Sequence, residues 1–156
     1  MGNFIGRRGD TASFQTQHAN LSEEQLQSHW NELYEVLCKA LPEEQKMAML
    51  QRILPQIPPA RRLELLTKTD QHRSTLLHWA AFHGNLAVCY VLLVILPDPV
   101  QRSAFMKQVN VGRRTALQAA IRKNKLDNAG LLLAYGADPF SILMPDRLAT
   151  LSHTRN

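Results

Sequence analysis

The chain has 156 residues, 45% of them hydrophobic and 20% charged, with a formal net charge of +5. That length suits one domain with a single core, and the two cysteines, Cys38 and Cys89, match neither a disulfide framework nor a metal motif, which points to a reducing, cytoplasmic setting. The longest apolar run, Ala87 to Leu96, is about half the ~20 residues that a membrane span needs, and no apolar stretch follows Arg7 and Arg8 to make a secretory signal.

Charge is uneven along the chain. Residues 1–50 carry 4 basic and 7 acidic side chains, a balance of −3, whereas residues 51–156 carry 14 and 6, a balance of +8. The basic half is suited to an acidic partner surface on a protein, a phospholipid or a nucleic acid.

Residues 1–20 are polar and lack periodicity, as expected of a flexible tail. The start Met1-Gly2-Asn3-Phe4-Ile5-Gly6 is similar to an N-myristoylation signal with Gly2 as the acceptor, although Gly6 stands where Ser or Thr is preferred. With Arg7 and Arg8 as a second signal, peripheral membrane association is one reading of this segment. From Leu21 the pattern becomes helical. Ser22 and Gln25 form a capping box, Glu23 and Glu24 occupy the first turn, and Leu26, Trp30, Leu33, Leu37 and Leu41 recur every three or four residues. Pro42 closes this helix and opens a second, lined by Met47, Leu50, Ile53 and Leu54; a third is expected from Pro59 to Thr67, with Leu63, Leu65 and Leu66 inward. Residues 21–69 thus read as an N-terminal helical cap.

Two matching stretches follow. Thr75-Leu76-Leu77-His78-Trp79-Ala80-Ala81-Phe82-His83-Gly84-Asn85 returns forty residues later as Thr115-Ala116-Leu117-Gln118-Ala119-Ala120-Ile121-Arg122-Lys123-Asn124-Lys125, and each copy runs into a Leu-rich segment. In both, Thr can cap a helix, paired alanines permit close helix approach, and Gly84 or Asn124 suits the left-handed residue that ends it. Asp70 to Thr75 and Asn110 to Thr115 precede them as turns. These residues resemble the ankyrin repeat, over residues 70–139. The resemblance implies an all-α solenoid of stacked helix–turn–helix units, each with a β-turn finger ahead of the Thr-x-Leu-His helix start, and a non-enzymatic surface for binding another protein. Arg73 and Arg113 replace the family's usual Gly, so each costs about 1 kcal/mol if φ is positive there. The spacing exceeds the usual ~33 residues by about seven, which places an insertion at residues 94–109 that includes a short helix with Phe105 and Met106 packed back. Residues 140–156 are expected to form a C-terminal cap and tail, with Leu143, Leu148 and Leu151 in the cap.

By the same resemblance, finger tips and the end of each inner helix grip the partner. Carried over, these positions are Gln71, His72, Ser74, Phe82 and His83 in the first unit and Val111, Arg114, Arg122 and Lys123 in the second. Phe82 beside basic groups is the expected hot spot, and the cations would steer an acidic protein partner. No cofactor or catalytic constellation is indicated, and His78, His83 and Cys89 lack the spacing of a zinc site. Nucleic acid is disfavoured, because the basic half has few aromatic residues for base stacking. Self-association through an open end of the stack, as a monomer in equilibrium with a weak dimer, is a third reading. The size and the added cap also resemble small ankyrin proteins that intracellular bacteria deliver as effectors into host cytosol.

Overall fold

The computed structural model describes residues 21–139. The N-terminal tail with Gly2 and the C-terminal capping helix lie outside the described residues. Within them the chain forms α1 (Glu23–Leu37), α2 (Glu43–Ile53) with a 3-10 turn (Leu54–Gln56), α3 (Pro59–Thr67), α4 (Leu76–His83), α5 (Leu86–Val94), α6 (Pro99–Lys107), α7 (Ala116–Arg122) and α8 (Leu126–Ala134). None of these is long and apolar enough to cross a membrane.

The helices form a solenoid. Helices α1, α4 and α7 pack side by side as an inner layer, and α2, α5 and α8 do so as an outer layer. Each inner helix also packs on the outer helix that follows it. The seam between the layers is built from Leu26, Leu33, Leu37, Leu50, Leu77, Ala80, Ala81, Leu92 and Leu117, all at most 1% exposed. Paired small residues allow α4 and α7 their close approach, since a larger side chain at Ala80 or Ala120 would meet the neighbouring helix.

The helix ends follow from local chemistry. Ser22, Thr75 and Thr115 each accept a hydrogen bond from the backbone N–H three residues on, and the side chains of Gln25, His78 and Gln118 accept in turn from the cap residue's own N–H. Gly84 ends α4 at φ 72°, a left-handed conformation that glycine takes without a Cβ penalty, and the Lys125 side chain lies over it. Asn124 takes the same left-handed conformation, at φ 59°. Helix α5 borrows its cap from the neighbouring unit, where Glu43 of α2 accepts from the Ala87 N–H at 3.0 Å.

The stretch 94–109 contains α6, and Phe105 and Met106 pack back at 1% and 5% exposure. Helix α3 occupies the same place one unit earlier. Pro59 and Pro99 each stand first in their helix, and Leu65 and Leu66 correspond to Phe105 and Met106 as the buried pair. Arg62 and Arg102 both reach back to carbonyl oxygens at the end of the preceding segment, Ile57 O and Leu96 O. The two helices pack on each other. Residues 59–94 and 99–134 therefore share one plan, a short helix, a finger and two further helices, offset by forty residues. That accounts for the long spacing.

One buried side chain defies patterning. Lys46 on α2 is 0% exposed, its ammonium donating to Asn85 Oδ1 at 2.7 Å and to Leu37 O at 3.3 Å. Burial lowers its pKa against the opposing pull of Cys38 and Glu43. It joins the N-terminal helices to the first unit at the loop between α4 and α5.

Candidate functional site

The inner helices and the two fingers enclose a concave surface. The fingers have one backbone. Asp70 Oδ1 accepts from the N–H groups of His72 and Ser74, both at 2.9 Å. Asn110 Oδ1 does the same for Gly112 and Arg114, at 2.9 and 3.1 Å. These side chains replace backbone partners within the turn and hold Arg73 and Arg113 at φ 58° and 61°, the left-handed conformation that costs a non-glycine residue energy. The fingers then pair with each other through the Val111 N–H and His72 O, at 2.9 Å.

His78 ties finger to helix. Its Nδ1 accepts from the Thr75 N–H at 3.1 Å, which assigns the proton to Nε2, and Nε2–H then donates to Arg114 O at 2.9 Å. Burial pushes its pKa below the ordinary histidine value, against the pull of the Arg114 carbonyl and of Asp70. Gln118, at the matching place, accepts from the Thr115 N–H at 2.7 Å.

An aromatic wall runs across the inner helices. Trp30 stacks on Tyr34 at 4.8 Å between centroids, Tyr34 meets Trp79 edge to face at 6.4 Å, and Trp79 meets Phe82 edge to face at 5.5 Å. These are favourable arrangements of ring quadrupoles. Asp70 anchors the wall, because its Oδ2 accepts from Tyr34 Oη–H at 3.1 Å and from Trp79 Nε1–H at 3.0 Å. Burial opposes ionisation of Asp70, but its donors outweigh that and hold the carboxyl below its ordinary value. The same contact, together with burial as the larger cause, pushes the Tyr34 hydroxyl up to about 12.

Between the fingers and this wall lies a groove of about 170 Å³, lined by His72, Ser74, His78, Trp79, Phe82, Asn110 and Ala119. The residues expected to bind a partner divide here. Gln71, His72, Val111, Arg122 and Lys123 are exposed, and Phe82, which lines the groove, and Arg114 are half-buried. Ser74 is only 7% exposed and contributes to the groove lining. The His83 ring stacks against Trp79 at 6.1 Å, and its Nε2 is 3.0 Å from Cys38 O, so it serves the junction with α1. Burial lowers its pKa too, with Lys46 and Lys125 adding to the effect and the Cys38 carbonyl opposing it.

Two members of the site escape sequence reasoning. Trp79 lies in the quoted repeat motif, but its place in the wall depends on Asp70 and Tyr34, both outside its helix. The second is a contact: Lys123 Nζ lies over the Phe82 ring, 4.6 Å from its centroid. Among the described residues no group of three or more His, Cys, Asp or Glu is placed to hold a metal ion. Cys89 is buried against Asn128 at 3.1 Å, and burial pushes its thiol up to about 12, which makes it inert as a nucleophile.

A family model described as ankyrin repeats, in three copies, matches residues 37–142. No curated protein and no solved structure matches the chain.

Proposed function

The chain belongs to the ankyrin-repeat family, whose repeats are in general protein–protein interaction modules, and from that premise we propose that its concave face binds an acidic segment of a protein partner. One observation carries the reading. Residues 113–125 hold five cations, Arg113, Arg114, Arg122, Lys123 and Lys125, and no acid. Arg114 is half-buried, with its backbone carbonyl on His78 of the groove lining, and Lys123 lies on the Phe82 ring of that lining. An acidic residue that approached this run would find complementary charge beside an apolar surface, the combination that gives both steering and a hot spot. Asp70 lies nearby, but its carboxylate is engaged by four donors.

The test is capture of partners from cytosol by the native protein and by a Phe82→Ala, Arg122→Glu, Lys123→Glu variant whose helicity is unchanged by circular dichroism. The expected result is a protein with an acidic segment that is retained by the first and lost by the second. Equal retention by both would overturn the assignment. Binding that depends on phosphate charge alone falls steeply with salt, so a complex anchored on Phe82 is expected to survive salt that strips nucleic acid or anionic lipid.

A further inference from the structure

We propose that the groove takes one bulky apolar side chain of the acidic segment, and that Lys123 is its gate. This rests on the concave-face reading above and specifies its chemistry. The groove is lined by apolar Trp79, Phe82 and Ala119 and by polar His72, Ser74, His78 and Asn110. Its volume of about 170 Å³ suits a single large side chain. The walls have commitments of their own: Asn110 Oδ1 and the Ser74 N–H hold the fingers, His78 holds Arg114 O, and Trp79 Nε1 is given to Asp70. A polar side chain entering the groove would therefore lose water and regain only what the Asn110 amide nitrogen, the Ser74 hydroxyl and the His72 ring offer. An apolar one loses nothing.

Lys123 decides when the aromatic surface is available. In the free protein its ammonium lies on the Phe82 ring, 4.6 Å from the centroid. A cation on an exposed ring is held weakly, whereas a carboxylate offers it a charge-assisted hydrogen bond. An acidic residue next to the apolar one draws Lys123 off Phe82, so the carboxylate and the apolar side chain are recognised together. A neutral apolar segment must displace the ammonium with nothing to offer it. The charge run from Arg113 to Lys125 belongs to the second unit, so the carboxylate belongs on that unit's side of the anchor.

The experiment uses the full chain and short fluorescein-labelled peptides. One is a glutamate–serine peptide with a central phenylalanine; the second has alanine at the centre; the third is serine-rich and neutral, with phenylalanine. Anisotropy measures binding, and NMR follows the Lys123 ε-methylene protons, which the Phe82 ring current shifts upfield in the free protein. The acidic phenylalanine peptide is expected to bind about tenfold more tightly than its alanine counterpart and to move the Lys123 signal downfield. In Lys123→Gln the acidic phenylalanine peptide loses affinity while the neutral one gains, a crossover that a merely structural lysine would not produce. Equal binding of the two acidic peptides, an unmoved Lys123 signal at saturation, or loss of affinity for all peptides alike in Lys123→Gln would overturn the proposal while leaving charge recognition intact. Failure of both acidic peptides to bind would instead remove the concave-face reading itself.

Discussion

The two fingers, residues 70–74 and 110–114, have the same backbone but different anchors. In each, one side-chain oxygen closes the turn and a left-handed arginine completes it. Asp70, however, has a second carboxylate oxygen, which takes the hydroxyl of Tyr34 and the indole of Trp79. Asn110 has an amide nitrogen in that place, a donor that cannot accept from such groups. The first finger is thus fastened to the aromatic wall, while the second is fastened to the first through His72 O and His78. A carboxylate where the turn needs only an acceptor turns a local motif into the fixing point of the concave face.

The largest effect that would break this arrangement comes from Asp70→Ala. It removes four hydrogen bonds and strands two aromatic donors, so urea unfolding should show a loss of about 3 kcal/mol, with Trp79 fluorescence altered in the native state. His78→Leu comes next, at about 2 kcal/mol, because it removes the acceptor of the Thr75 N–H and frees Arg114 O. Its pH signature separates it from a simple packing defect. His78 and His83 lie below the ordinary 6.5 in the fold, so the unfolded chain binds more protons as pH falls below that value. Stability contributed above pH 6.5 is lost as pH drops through the folded values, and His78→Leu should flatten this limb in unfolding measured from pH 7 to pH 5.

A smaller change sharpens the comparison most. Asp70→Asn keeps the acceptor for the turn and loses the charge, so it should cost about 1.5 kcal/mol, while Asn110→Asp stays near neutral. Asp70 is held below its ordinary 3.8; its contribution is present above that value and fades as pH falls through the lower folded one, a limb absent from Asp70→Asn. Equal costs at the two fingers would contradict the difference drawn between them. Least of all, Arg73→Gly and Arg113→Gly should each stabilise by about 0.5 kcal/mol, as relief of backbone strain in thermal unfolding.

Much of the fold was legible because it is local. The capping box of Ser22, the caps Thr75 and Thr115, the helix from Pro59 to Thr67 and the left-handed Gly84 and Asn124 all depend on residues within a few positions, as does the positive φ weighed as a condition at Arg73 and Arg113. Three features were not. Lys46 sits in the buried stripe of α2, where patterning assigns a lysine to the surface; its partner Asn85 is thirty-nine residues away. Asp70 reads as a turn residue, and its hold on Tyr34 spans thirty-six. The correspondence of α3 with α6 was hidden because their buried pairs differ, Leu65 and Leu66 against Phe105 and Met106, so the eye finds Thr75 and Thr115 before Pro59 and Pro99. Of the candidate site, the cations were visible as charge, but the burial of Ser74 and the engagement of His83 with Cys38 follow only from the stacking of units.

The most direct test of concave recognition places a photo-crosslinking residue at Arg122, at His72, or at Gln51, an exposed position on the outer helix α2, and exposes each full-length protein to cytosol. One acidic protein is expected to crosslink from Arg122 and His72 and not from Gln51. Capture of that protein from Gln51 alone would place the interface on the outer face and contradict the account.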